Sequence, residues 1–174
     1  NEHGLMAVCD ASNKPDPKDS KCQHGNAVHW KGGPIASTSG KLTLTGWGSP
    51  ANEHMALRHC SAKVMFFRNL FREMGLLDQI EEPTKVYCDN NTAIHWVKTG
   101  KITDGNQYLQ MAFHQTREWE ADGQICVLAV NTKDNFSDLM TKPCGKEEYA
   151  LFLMVFCGYE RWVIKVPRET MTFT

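Results

Sequence analysis

The sequence predicts an α/β fold in which a mixed five-stranded sheet is flanked by helices. Three observations carry that expectation. Apolar runs of strand length, such as Leu5–Cys9 and Gln124–Val130, stop abruptly at polar or turn-forming residues. Hairpin punctuation comes early in the chain and strand–helix alternation comes later, an order that mixes antiparallel with parallel pairing. Between the two parts, Met55, Ala56, Ala62, Met65, Phe66, Leu70 and Met74 recur at roughly helical spacing.

The elements follow in order. Leu5-Met6-Ala7-Val8-Cys9 is a first strand that ends at Asp10. The turn formers from Ala11 to Asp19 separate it from a second strand at Ala27–Trp30. Gly32-Gly33-Pro34 then turns the chain towards Ile35–Thr38. Leu42-Thr43-Leu44-Thr45 alternates with period two and is the better candidate for the return strand. Ser49-Pro50 opens a long helix, with Ser as cap and Pro at the first position, and Gly75 closes it. Lys85–Cys88 is the fourth strand, followed by a short helix from Asn91. Gln107–Trp119 reads as another helix, and Gln124–Val130 as the clearest strand of the chain. Asn135–Lys142 reads as a helix broken by Pro143, and Lys146–Cys157 as a last, strongly apolar helix. The expected division is one domain over residues 1–163 and a C-terminal tail over 164–174.

Composition narrows the function classes. Hydrophobic residues are 41% and charged residues 22% of 174, the balance of a globular domain with a proper core. No apolar run approaches the roughly 20 residues of a membrane span, so no membrane partner is expected. The charge is balanced, 19 basic against 20 acidic residues, which argues against a strong global field for nucleic acid. A cluster of acids neutralised by bound cations would leave the remaining surface net basic. The seven cysteines form no C-x-x-C pair and read as reduced thiols of an intracellular, cytoplasmic protein. No histidine pair has the spacing of a helical zinc site. The chain lacks an initiator Met, as a fragment of something longer would, and removal of a tag would look the same.

Four acids stand at comparable places. Asp10 ends the first strand and Asp89 the fourth. Glu53 lies in the first turn of the long helix, and Asp138 lies early in the helix after the last strand. Singly, Asp10, Asp89 and Asp138 read as turn or cap residues and Glu53 as a helix-dipole residue. A central pair of the first and fourth strands would set Asp10 beside Asp89, where ligands bind in α/β sheets. Carboxylates suit Mg²⁺ or Mn²⁺, and two such ions roughly 3.5–4 Å apart can clamp a phosphodiester. Unpaired, the four carboxylates repel one another, their pKa values rise, and the metal-free cluster is expected to be unstable.

The motifs around these acids resemble the ribonuclease H domain of copia-type long-terminal-repeat retrotransposon polyproteins, over about Leu5 to Trp162. Cys9-Asp10-Ala11-Ser12 is similar to that family's opening Asp motif, and Asp16-Pro17-Lys18-Asp19 to the acidic turn after it. Gly32-Gly33-Pro34-Ile35 is similar to its hairpin, and Glu53-His54-Met55-Ala56-Leu57 to its Glu helix. Tyr87-Cys88-Asp89-Asn90-Asn91-Thr92-Ala93-Ile94, His114-Gln115-Thr116-Arg117-Glu118 and Asp138-Leu139-Met140-Thr141-Lys142-Pro143 complete the set. The resemblance implies a ribonuclease H-like fold and Asp10, Glu53, Asp89 and Asp138 as catalytic, metal-binding carboxylates. It implies two Mg²⁺ or Mn²⁺ ions, cleavage of the RNA strand of RNA–DNA hybrids, and neighbouring reverse transcriptase and integrase domains. Ser12, Asn13, Asn90 and Asn91 are the expected substrate contacts.

The chain departs from the family where substrate is met. Lys21-Cys22-Gln23-His24-Gly25 and Gly48-Ser49-Pro50-Ala51-Asn52 replace the family's usual residues, and only Lys41 remains of its basic residues near 37–41. Three readings follow: an active hybrid-cleaving nuclease, a repurposed module of the same fold that binds nucleic acid or protein without cutting, and a nuclease of the superfamily acting on DNA. Trp30, Trp47 and Trp96 are assigned to packing, and His95 and His114 carry no chemistry.

Overall fold

The computed structural model describes residues 4–43, 48–101 and 110–158. Strands β1 (Leu5–Ala11), β2 (Gln23–Trp30), β3 (Gly33–Lys41), β4 (Thr84–Cys88) and β5 (Ile125–Ala129) form one sheet in the order β3-β2-β1-β4-β5. The pairs β1–β2 and β2–β3 are antiparallel, whereas β1–β4 and β4–β5 are parallel. The helices are α1 (Ser49–Glu73), α2 (Asn91–Thr99), α3 (Gln110–Ala121) and α4 (Lys146–Phe156). The mixed five-stranded sheet flanked by helices is therefore as expected.

Period-two alternation divides β1 between two cores. Leu5, Ala7, Cys9 and Ala11 face α1, where Ala56, Leu57, Cys60, Val64 and Phe71 meet them. Val8 belongs to the opposite face with Ala27, Tyr87, Phe136 and Phe152. Arg68, buried in α1, donates to the carbonyls of Ile80 (2.8 Å) and Glu82 (3.0 Å) and to Thr84 Oγ1 (3.0 Å). These bonds satisfy the loop's backbone acceptors and fix where β4 enters the sheet.

Several local expectations are corrected. The return strand of the hairpin is Gly33–Lys41, not Leu42–Thr45. Lys31 (φ 51°) and Gly32 (φ 83°) form the two-residue turn, the positive-φ pair that suits the twist of a tight hairpin. With the turn there, Trp30 pairs Gly33 and the ladder runs to Gln23 against Lys41, so β2 also starts earlier than Ala27. Leu42 follows the strand, buried with Cys22, Ala51 and Met55; Leu44, Thr45 and Trp47 lie outside the described residues. Gly48, not Ser49, is the N-cap of α1, so Glu53 is the fifth residue of the helix rather than part of its first turn. Gly75 (φ 73°) ends α1 as expected, with Leu76 N–H donating to Phe71 O at 2.8 Å. The segment expected as a helix from Asn135 to Lys142 is a 3₁₀ turn over Phe136–Met140, preceded by another at Thr132–Asp134. Asn135 explains the break, because its side chain is bonded into the sheet. The start expected for α3, residues 107–109, and the tail boundary at 163/164 lie outside the described residues.

Candidate metal centre

β1 and β4 are neighbours in parallel, with Val8 opposite Tyr87. Two strands in that register deliver Asp10 and Asp89 to the same edge of the sheet. The 3₁₀ turn at Phe136–Met140 brings Asp138 to that edge from one face, and α1 brings Glu53 from the other. Asp10, Asp89 and Asp138 each offer an oxygen, and the three atoms lie within 4.8 Å of one another. Glu53, Cys88 and Asp89 form a second group within the same distance, so Asp89 is common to both. Glu53 is held by the backbone N–H of Ala11, which donates to its Oε2 at 3.2 Å. All four acids expected from the sequence are thus brought to one place.

Burial and crowding make that place electrostatically expensive. Burial, with the nearby Cys88, Asp10 and Asp89, pushes the Glu53 carboxyl up to about 10. Burial and the charge of Asp10 raise Asp138 to about 7 and also raise Asp89. Carboxyl pKa values raised in this way mark a deficit of positive charge that an oxygen-seeking divalent cation would supply.

Part of the deficit is met within the chain. Lys142 Nζ donates to Asp10 Oδ1 at 3.2 Å and to Asp138 Oδ1 at 3.0 Å. The Thr141 hydroxyl donates to the other oxygen of Asp10. Burial opposes the Lys142 charge, but Asp10 and Asp138 outweigh it and its pKa is raised. The expectation of an unstable metal-free cluster therefore needs amending, because a lysine sits between two of its acids.

The turn bearing Asp138 is positioned by two sequence features. Asn135, fully buried, donates through Nδ2 to Cys9 O at 3.1 Å and accepts from Ser137 N–H at 3.3 Å. Gly25 pairs with Asp10 across the ladder. A Cβ at Gly25 would lie 2.6 Å from Met140 Cβ and 2.9 Å from Thr141 Cγ2. Glycine is what lets the turn lie directly on β2 beside Asp10.

The expected substrate residues separate into distinct environments. Asn90 caps α2, accepting from Ala93 N–H at 3.0 Å, and its Nδ2 donates to Ser49 Oγ at 3.4 Å. Asn13 Nδ2 donates to the same Ser49 oxygen at 2.9 Å. Asn91 is the exposed first residue of α2. Ser12 is buried, and its hydroxyl is turned back on Lys14, donating to O at 3.1 Å and accepting from N–H at 3.3 Å. Lys41 is bonded to Asp16 and Asp19, each at 2.7 Å. Sequence reasoning missed Lys142, Thr141, Ser49 and Cys88. The i, i+4 spacing of Asp138 and Lys142 was a signal for the first. Ser49 was hidden by its likeness to a helix cap, a role that falls to Gly48.

No family model matches the chain. It is 26% identical over 167 residues to the retrovirus-related Pol polyprotein from transposon RE2 of Arabidopsis thaliana, covering 96% of this chain and 11% of that polyprotein. It is 23% identical to the Pol polyprotein from transposon TNT 1-94 of Nicotiana tabacum, covering 84% of this chain and 11% of the relative. The chain thus spans about a tenth of the length of these relatives. Among solved structures, LC11-RNase H1 in complex with an RNA/DNA hybrid superposes with a TM-score of 0.59 at 11% identity, covering 79% of this chain and 93% of that one. The N-terminal RNase H domain of a Mycobacterium tuberculosis protein superposes with a TM-score of 0.52 at 12% identity, covering 87% and 98%. The mixed sheet, the acids at its edge and these likenesses agree: the chain is an RNase H-fold domain homologous to the Pol polyproteins of plant retrotransposons, in keeping with the copia-type motifs in its sequence.

Proposed function

We propose that this domain is a metal-dependent ribonuclease H that hydrolyses the RNA strand of RNA–DNA hybrids during reverse transcription of a retroelement. The observation that carries the proposal is the convergence of Asp10, Asp89 and Asp138 oxygens within 4.8 Å, with Glu53 adjoining through Asp89. The donor set fits Mg²⁺ or Mn²⁺, since it is dominated by carboxylate oxygens and its raised carboxyl pKa values mark unmet negative charge. Asp10, Asp89 and Asp138 would hold one ion, and Glu53 with Asp89 a second. When bound, such ions supply an activated water and stabilise the leaving oxygen of a phosphodiester.

The chain's own residues do the rest. β1 and β4 hold Asp10 and Asp89 rigidly, so little reorganisation accompanies binding. Asn13 and Asn90 both donate to Ser49, which ties the segment after β1 to the start of α2, and their amide groups suit sugar or phosphate oxygens of a hybrid. One of the solved neighbours was captured with an RNA/DNA hybrid, which supports that choice of substrate. The similarity to Pol polyproteins supports a polyprotein context, and flanking reverse transcriptase and integrase domains are the partners proposed within it.

The test is cleavage of a labelled RNA–DNA hybrid in Mg²⁺ beside an Asp89→Asn control. Cleavage by the parent and none by the variant is expected; equal cleavage by both refutes the assignment. A second reading, a binding module of the same fold without turnover, is favoured by Lys41, whose charge is spent on Asp16 and Asp19 rather than offered to a backbone. It predicts hybrid binding with no Asp89-dependent cleavage even in Mn²⁺.

A further inference from the structure

We propose that Lys142 is the resident counter-ion of the carboxylate cluster, holding Asp10 and Asp138 together in the metal-free protein and giving way when a divalent cation binds. The inference rests on the metal-dependent reading above and goes beyond it, because it assigns a function to a residue outside the four acids.

Three observations support it. Asp10 is wholly buried, so water cannot balance its charge; Lys142 and Thr141 are its two side-chain hydrogen-bond donors among the described residues. Lys142 bonds one oxygen on each of two acids, and those acids are two of the three that could together hold a cation. An ammonium is a compact positive charge with three donors, able to occupy an oxygen-lined cation position. Lastly, the lysine side chain is 36% exposed whereas Asp10 is not exposed at all. The acid is anchored in a strand, and the lysine has solvent to move into.

The consequence is an exchange. A divalent ion meets the acids already neutralised in part, so its apparent affinity is the difference between two states. An ammonium and a divalent cation a few ångströms apart in a partly wet site repel strongly, and the lysine relieves that repulsion by relaxing into water. Because this side chain can relax, the expected residual competition is on the order of tenfold in metal affinity. The same contact stabilises the metal-free domain.

The experiment measures Mn²⁺ binding by electron paramagnetic resonance of the free ion, using the parent, Lys142→Gln and Lys142→Arg. Lys142→Gln should bind Mn²⁺ about tenfold more tightly and melt lower than the parent in EDTA, while Lys142→Arg stays near the parent. Equal or weaker Mn²⁺ binding by Lys142→Gln overturns the counter-ion role and leaves the nuclease assignment to the Asp89→Asn control. Absence of Mn²⁺ binding in the parent and both variants overturns the metal centre itself and the proposal with it. Should Lys142→Gln not fold, the parent alone decides: the proton–nitrogen signal of the Lys142 ammonium should be protected in EDTA and lost on adding Mg²⁺. A signal unmoved by saturating Mg²⁺ overturns the proposal.

Discussion

Gly25 offers a direct test of how the site is assembled, because one methyl group can be aimed at the turn that carries Asp138. In Gly25→Ala the new Cβ would stand 2.6 Å from Met140 Cβ, 2.9 Å from Thr141 Cγ2 and 3.1 Å from Ser137 O. Carbon atoms in contact prefer about 3.5–4.0 Å, so the first overlap is roughly 1 Å. Neither Met140 Cβ nor Ser137 O is the free end of a flexible chain, and relief requires the backbone of Phe136–Met140 to lift off β2. Overpacking of that kind costs about 1–3 kcal/mol. For a domain of this size each kcal/mol lowers Tm by about 2–4 °C, so a fall on the order of 5 °C is expected. The same displacement pulls Thr141 and Lys142 away from Asp10, so Mn²⁺ affinity changes along with stability. The assays are urea unfolding followed by tryptophan fluorescence, and Mn²⁺ titration of the folded variant. An unfolding free energy within about 0.5 kcal/mol of the parent, the spread of an ordinary surface substitution, would refute the close packing of turn on strand.

Three further outcomes are expected. Ser49→Ala removes the oxygen shared by Asn13 and Asn90; hybrid binding in Ca²⁺, measured by fluorescence anisotropy, should weaken about fivefold, the worth of about one hydrogen bond, with Tm lowered by no more than about 4 °C, and Ser49→Thr should restore binding. Asn135→Ala breaks the link to Cys9 O and leaves a buried acceptor unmet, so chemical unfolding should show a loss of about 1–3 kcal/mol. His29 is buried against Phe136 and Phe156, and burial lowers its pKa to about 4 against 6.5. The folded state therefore prefers the neutral ring. Its contribution is fully present above pH 6.5 and is lost as pH falls towards 4, by at most about 3 kcal/mol. His29→Phe should flatten that part of the stability–pH curve, and an unchanged slope would exclude His29 as its source.

The elements that could be read directly were those whose signals are local. The apolar runs of β1 and β4, the start of α2 at Asn91 and the Gly75 stop each depend on a few neighbouring residues, and each stands within two residues of where it was expected. Where a distant partner competed, local signals misled. Leu42–Thr45 alternates as well as a strand, yet the turn at Lys31-Gly32 sets the register and ends the ladder at Lys41. Ser49-Pro50 has the chemistry of a cap, yet the Ser49 oxygen is used by two asparagines from other segments. Residues 135–142 have the spacing of a helix, yet Asn135 is tied to β1, 126 positions away in sequence.

The candidate site divides in the same way. By itself the sequence determined which four residues are acids at element ends, and the motifs around them named a family whose chemistry needs such acids. Only the tertiary structure decided that they meet, because convergence follows from strand order: β4 lies beside β1 rather than beside β3, and no local periodicity encodes that neighbour. Only the tertiary structure, too, placed a lysine between two of the acids. A charge in sequence has a sign but no partner; burial of Asp10 is what makes a partner necessary, and the fold selected Lys142.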